Sequence, residues 1–273
     1  MDSVFHTYWR FLNRQPDPNV VWKRGIEEYP NFFYDSLCWG VFFTGLFLVT
    51  SAVLRTLWPK WYNSLTPKKQ KELPSYVVCL VHHFVRVPGG WINVFRDFYR
   101  TEAESAALNY PFMEASVGPF CMGYFIGDLV CFALIEAFRG ELEYAVHHVV
   151  IISIISASVF QHPFLCRWIP HLLICDTTNI FFNCAWLLRT VGLKDTLLVQ
   201  SLEILFAVSF LFTRVINMPC FLYVVATNSY GNGLGWYKLF FVPLALLQWF
   251  WFFKIASTTI KRLRPTKDEK SKC

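Results

Sequence analysis

Few ionisable or amide side chains fall in the apolar stretches of this chain, and their types and spacing define the chemistry on offer. They are Asp128, His147 and His148, Asp176, Glu203 and Arg214, joined by Asn179, Asn183 and Asn217. Charged groups at membrane depth are costly, so each is a functional candidate. A neutral imidazole in a dry setting takes a proton from an alcohol or amine and returns it to a leaving group. It also serves as a nucleophile in acyl transfer, through an acyl-imidazole. Adjacent helix positions differ by about 100°, so His147 and His148 cannot face one small site equally. One ring does chemistry while the other supports it or meets a headgroup. A carboxylate such as Asp176 would fix the tautomer of the working ring and stabilise its imidazolium. The bland alternative is that both rings only hydrogen-bond across helices, as polar side chains do in membranes.

Asp176, Asn179 and Asn183 follow one another by three and then four residues, which puts them on one helix face. Lipid offers that stripe no partner, so it should point inward. Arg214 and Asn217 share a face just before Met218-Pro219, and an arginine there suits a phosphate or carboxylate. Tyr124 and Asp128 lie one turn apart in Gly123-Tyr124-x-x-Gly127-Asp128, where the hydroxyl would satisfy the carboxylate or burial would hold it neutral. His82 and His83, near Arg86 and Pro88, read as capping or headgroup-facing residues. The seven histidines, at 6, 82, 83, 147, 148, 162 and 171, show no HxxH or HxxxH spacing, so no metal site is expected.

The elements that position these groups follow from composition. The chain is 55% hydrophobic and 16% charged, where a soluble domain carries about 25% charge. Its 28 Phe and 11 Trp exceed what a water-soluble core of this length would bury. Disorder, collagen, coiled coil and a disulfide scaffold are excluded, and the chain reads as an all-α, multi-pass transmembrane bundle. At about 20 apolar residues per crossing, seven spans fall near 38–57, 75–95, 118–137, 142–161, 167–188, 199–226 and 236–258. The second is the weakest, with two His, an Arg and Pro88-Gly89-Gly90. The cysteines sit mostly inside apolar runs and pack as small hydrophobes. Residues 1–37 lack a signal-type apolar core, so insertion falls to the first span.

Lys60, Lys68, Lys69 and Lys71 follow the first span, Arg139 the third, and Arg189 and Lys194 the fifth; six basic residues from Lys261 to Lys272 follow the seventh. The positive-inside rule then places the C-terminus in the cytosol and the N-terminus in the lumen. The net charge of +6 therefore reports topology, and no nucleic-acid partner is expected. Trp58, Trp61, Trp236 and Tyr237 lie at span ends, as interfacial aromatics should. The organisation is a lumenal appendage (1–37), a first transmembrane helix (38–58), one membrane domain (70–260) and a basic cytosolic tail (261–273). The tail lysines are out of register for a dilysine signal, so the tail reads as a topology and headgroup element.

Taken together, Tyr124-x-x-x-Asp128, His147-His148 and the run from Asp176 to Trp186 resemble the TLC (TRAM-LAG1-CLN8) domain. The fifth-span run is similar to the Glu-x-Ser-x-Pro-x-x-Asn-x-Arg-Trp pattern of TLC proteins outside the ceramide synthases. Asp176 and Thr178 replace Glu and Ser, Asn183 and Trp186 match, and Ile180 and Ala185 depart from it. Arg214-Val-Ile-Asn217-Met-Pro219 resembles the arginine-containing helix that follows. Ceramide synthases carry His-His and then His-Asp-x-x-Asp; here Cys175 and Asn179 replace the second-motif His and the last Asp. The resemblance implies a bundle of the endoplasmic-reticulum membrane serving lipid metabolism or homeostasis. Its sharper form is an acyltransferase using acyl-CoA as co-substrate, with no bound cofactor. In it His147 or His148 is base or acyl acceptor, Asp176 the orienter, and Tyr124, Asp128, Asn179, Asn183, Arg214 and Asn217 line the substrate cavity. The alternative is a non-enzymatic lipid binder, sensor or cargo receptor of the same fold. Partners would be membrane lipids, and a second copy or another membrane protein.

Overall fold

The computed structural model describes Asn19 and residues 29–98, 117–160, 172–227 and 235–263. Most of segment 1–37, residues 99–116, 161–171 and 228–234, and those beyond Leu263 lie outside the described residues, His6, His162 and His171 among them. Among the described residues the secondary structure is helical throughout. We name the helices α1 (Phe32–Leu57), α2 (Pro59–Ser64), α3 (Pro67–Phe98), α4 (Gly118–Ala137), α5 (Leu142–Phe160), α6 (Thr177–Thr190), α7 (Leu197–Thr227) and α8 (Phe241–Leu263). All but the short α2 fall on the seven expected spans. Phe32–Leu57, Gly118–Ala137, Leu197–Thr227 and Lys238–Ser257 are long and apolar enough to cross a membrane, and Leu142–Ala157 is a shorter apolar helix.

The first helix begins at Phe32 rather than 38, because Phe32 is wholly buried and the turn is tied by Ser36 Oγ donating to the Phe32 carbonyl at 2.7 Å. Helix α3 runs unbroken through Pro74 and Pro88 for 32 residues, about 48 Å at 1.5 Å per residue. Its Gly90 is a close-approach position. A Cβ there would lie 2.9 Å from Leu173 Cβ, so glycine lets the 172–176 turn lie against the helix. Helix α3 is amphipathic in the inverted sense: Ser75, His82, His83, Arg86 and Asn93 are buried, while Val81, Phe84, Val85, Ile92 and Phe95 face outward. Water would reward the opposite arrangement; lipid rewards this one.

Helices α1 and α4 pack backbone to backbone. A Cβ on Gly123 would meet Trp39 Cβ at 2.4 Å and Gly40 N and Ser36 O at 2.7 Å, and one on Gly127 would meet Gly40 O at 3.1 Å. Gly123-x-x-x-Gly127 is thus a small-residue seam of the kind that lets membrane helices approach closely. Two apolar clusters complete the bundle. One joins α1, α3, α4 and α5 around Phe43, Phe120, Phe125 and Ile155. The other joins α5, α7 and α8 around Ile154, Phe221, Val224 and Phe241.

At one end of the bundle, Lys68 pairs with Glu141 at 2.9 Å and Lys254 with Glu143 at 3.5 Å. The start of α3, the start of α5 and the later part of α8 therefore share that end.

Candidate functional site

Two helices supply the centre of the site, each with the same spacing read in opposite directions. Cys79, His83 and Arg86 of α3 follow by four and three residues; Asp176, Asn179 and Asn183 follow by three and four. Antiparallel packing matches them pair by pair. Asn183 Nδ2 donates to Cys79 Sγ at 3.0 Å, Asn179 Nδ2 donates to His83 Nε2 at 3.1 Å, and Arg86 Nη2 donates to Asp176 Oδ2. The inward stripe expected of α6 is there, and α3 is what it meets.

Asp176 closes the 3₁₀ turn Ile174–Asp176 at the N-cap position of α6, yet its carboxylate does not cap that helix. It is taken by side chains instead. Besides Arg86, its Oδ1 accepts from Arg214 Nη2 at 3.2 Å and from Asn179 Nδ2 at 3.1 Å, and its Oδ2 lies 3.8 Å from His83 Nε2. Arg214 is held on every side. Its Nε donates to Thr178 Oγ1 at 2.9 Å and to the Cys175 carbonyl at 3.1 Å, and its Nη1 to Gln248 Oε1 of α8 at 2.6 Å. Arg86, Asp176 and Arg214 are all at most 6% exposed.

Histidine tautomers follow from the acceptors. His83 Nδ1 lies 2.5 Å from the Cys79 carbonyl, which only accepts, so the proton is on Nδ1 and Nε2 is the bare acceptor for Asn179. His148 Nδ1 likewise donates to the Tyr144 carbonyl at 2.7 Å. Its Nε2 stands 2.9 Å from Asp128 Oδ2, in ion-pair range but off the hydrogen-bonding line. Ser75 Oγ donates to the other Asp128 oxygen at 2.8 Å.

These contacts revise several sequence expectations. Asp176 touches neither His147 nor His148, because two arginines occupy its oxygens; the carboxylate beside His148 is Asp128. Tyr124 does not satisfy Asp128. Its ring stacks on His82 at 3.9 Å between centroids, and Ser75 takes over the carboxylate. His82 and His83 are not surface caps, since they are 0% and 3% exposed. The expected pair His147 and His148 does diverge: the rings are 87° apart, and His147 turns toward Phe125 and Trp251. Of the residues expected to line the cavity, Arg214 does so, while Tyr124, Asp128, Asn179, Asn183 and Asn217 lie off its wall, Asn217 beside Cys175. Glu203 pairs with Arg189, apart from the cluster.

Arg86, Ser75, His83 and Gln248 are site residues that the sequence reading missed. The signal was present in the polar i, i+3, i+4, i+7 stripe of α3 and in the single glutamine among the apolar residues of α8.

The polar cluster opens on a cavity of about 50 Å³, lined on its polar side by Arg86, His147, Asp176, Arg214 and Gln248. At about 10–15 Å³ per water, it holds roughly four waters and no whole lipid. His147 Nδ1 and Arg86 Nε and Nη1 are buried without hydrogen-bond partners. Two further features favour function over mere packing. The π-helical segments Leu129–Ala133 and Leu211–Ile216 begin just after Asp128 and enclose Arg214, and such bulges re-aim side chains at functional sites.

Residues 72–257, more than half of the chain and including every site residue above, match the family model of the TLC domain (TRAM-LAG1-CLN8). The chain belongs to the TLC-domain family. Comparison with curated proteins and with solved structures gave no match. A TLC domain points to a membrane lipid-related function, and the bundle is that of a membrane protein. Among the described residues of this TLC protein, no group of three or more His, Cys, Asp or Glu side chains is arranged to hold a metal ion.

Proposed function

We propose that this TLC-domain protein adjusts membrane lipid composition by transferring an acyl group from acyl-CoA to a lipid amine or alcohol. The observation that carries this reading is His147, which lines the cavity with a buried, unpartnered Nδ1. His148, by contrast, is not on the cavity wall; its Nδ1 donates to the Tyr144 carbonyl and its Nε2 faces Asp128. His147 Nδ1 takes the proton of the amine or hydroxyl as its heteroatom attacks the thioester carbonyl. The C–S bond then breaks, and the leaving thiolate receives that proton. Arg86, which keeps unpaired N–H groups beside the cavity, supplies the positive charge for the developing oxyanion. Asp176 acts one step back, holding Arg86 and Arg214 in place. Asn179 and Asn183 fix α6 against α3, and Tyr124 and Asp128 buttress the two histidine pairs. The small cavity admits the reacting groups, so the chains extend into lipid.

A lipid-binding or lipid-sensing role is the second reading, favoured by one observation. Asp176 is saturated by its partners and the ionic cluster is largely closed on itself, as a scaffold would be.

Residence in the endoplasmic-reticulum membrane, with a lumenal N-terminus and cytosolic C-terminus, belongs to the same proposal. It is supported by the basic segments and by the Lys68–Glu141 and Lys254–Glu143 pairs, which gather the ends assigned to the cytosol. The deciding experiment incubates the purified protein in lipid nanodiscs with labelled acyl-CoA and follows transfer into lipid. Transfer that His147→Gln abolishes, with folding intact, is expected. No transfer by wild type, alongside full rescue of the cellular lipidome by His147→Gln, overturns the enzyme reading in favour of the binder.

A further inference from the structure

Cys79 is a nucleophile that the proposed reaction leaves unused. It is half-buried on α3, so it keeps surface that Cys121 and Cys175 of the cavity wall, 2% and 4% exposed, do not. Its sulfur is set among polar groups. Asn183 Nδ2 donates to Sγ at 3.0 Å, and His83 Nδ1 stands 3.2 Å away. On the far side of that ring, Asn179 Nδ2 lies 3.1 Å and Asp176 Oδ2 3.8 Å from Nε2, which fixes the imidazole beside the sulfur. A thiol, an imidazole within hydrogen-bond reach and a third group orienting the imidazole form the arrangement of an activated nucleophile. Cys184 of α6 is half-buried too, yet its sulfur makes no hydrogen bond among the described residues.

We infer that Cys79 takes a long-chain acyl group from acyl-CoA and holds it as a thioester. Its Sγ attacks the thioester carbonyl, the new C–S bond forms as the bond to the CoA sulfur breaks, and the thiol proton leaves on CoA. One thioester replaces another, so the step needs no oxidant and no cofactor. The amide and the imidazole beside Sγ hold the charge that the sulfur gathers as its proton departs. Acyl-CoA fits the surroundings by its two halves. Cys79 lies eight residues beyond Lys71, about 12 Å along the helix. The phosphates can therefore stay with Lys68, Lys69 and Lys71 while the pantetheine arm reaches inward. The acyl chain then runs in lipid, where α3 turns Val81, Phe84 and Val85 outward. The inference rests on the acyl-CoA co-substrate of the proposed function but uses neither His147 nor the cavity, so each can fail alone.

The test incubates the full chain in phosphatidylcholine nanodiscs with labelled palmitoyl-CoA and maps acylated cysteines by mass spectrometry over time. Label that neutral hydroxylamine releases is expected on Cys79, on the order of tenfold faster or more than on half-buried Cys184 or the more exposed Cys38. His83→Gln should slow labelling of Cys79 on the order of a hundredfold, whereas a histidine that only packs would leave the rate unmoved. Label shared evenly by the three cysteines would be adventitious acylation and would overturn the proposal. An unlabelled Cys79 overturns it as well, and so does an unslowed, folded His83→Gln; if that variant fails to fold, the ranking of the three cysteines in wild type decides. Acylated Cys79 without transfer to lipid keeps this inference and sinks the enzymatic one. Transfer to lipid with Cys79 unlabelled does the reverse.

Discussion

Replacing Asp176 by Asn tests the electrostatic centre of the bundle with almost no change in volume. The wild-type carboxylate is 6% exposed and accepts from Arg86, Arg214 and Asn179. Breaking a buried ion pair by removing one partner costs about 3–5 kcal/mol, because the other charge stays buried. Here one carboxylate serves two guanidinium groups, so the substitution leaves both of them without their carboxylate partner. The upper part of that range is expected, against a total stability of about 5–15 kcal/mol. On the scale of about 2–4 °C per kcal/mol for large soluble domains, the melting midpoint should fall by roughly 8–20 °C. Thermal unfolding of the detergent-solubilised protein, followed by size-exclusion of the surviving fraction, reads this directly. Asp195→Asn, at an exposed position, should leave the midpoint unmoved. Adding Arg214→Gln to Asp176→Asn restores the original net charge and should recover part of the loss. An Asp176→Asn midpoint within about 2 °C of wild type, with no gain from the double variant, would refute the charge argument.

Two further outcomes follow from the packing and the topology. Gly123→Ala should destabilise by about 1–3 kcal/mol or more, since its new Cβ would meet backbone and Cβ atoms of α1 at 2.4–2.7 Å. Gly127→Ala should cost less, with its nearest contact at 3.1 Å, and Gly45→Ala should be neutral, with nothing within 4 Å; equal melting of the three would mean that α1 and α4 do not pack as described. Protease treatment of sealed microsomes should remove a C-terminal tag and spare an N-terminal one, whereas loss of both tags would require an even number of spans.

The amino-acid sequence by itself determined the class of structure and the elements. Apolar runs of membrane-spanning length, interrupted by basic segments, leave a helical bundle as the only way to satisfy backbone groups in lipid. The period-3.6 stripe of Asp176, Asn179 and Asn183 also determined which face of α6 turns inward, because that choice is local to one helix. What lies opposite is not local, and only the tertiary structure decided it. The partner of Asp176 comes from ninety residues earlier, on a helix whose prolines, glycines and charges made it the weakest span in the sequence. Its polar face looked like surface because in water polar means outward; in lipid the same stripe is the interior. The carboxylate beside His148 was decided the same way. Asp176 and Asp128 are equally plausible partners along the chain, and the packing of α3 between α6 and α4 gives the arginines to one and the histidine to the other. Pairing between helices depends on their relative rotation and depth, which composition and periodicity within each helix do not encode.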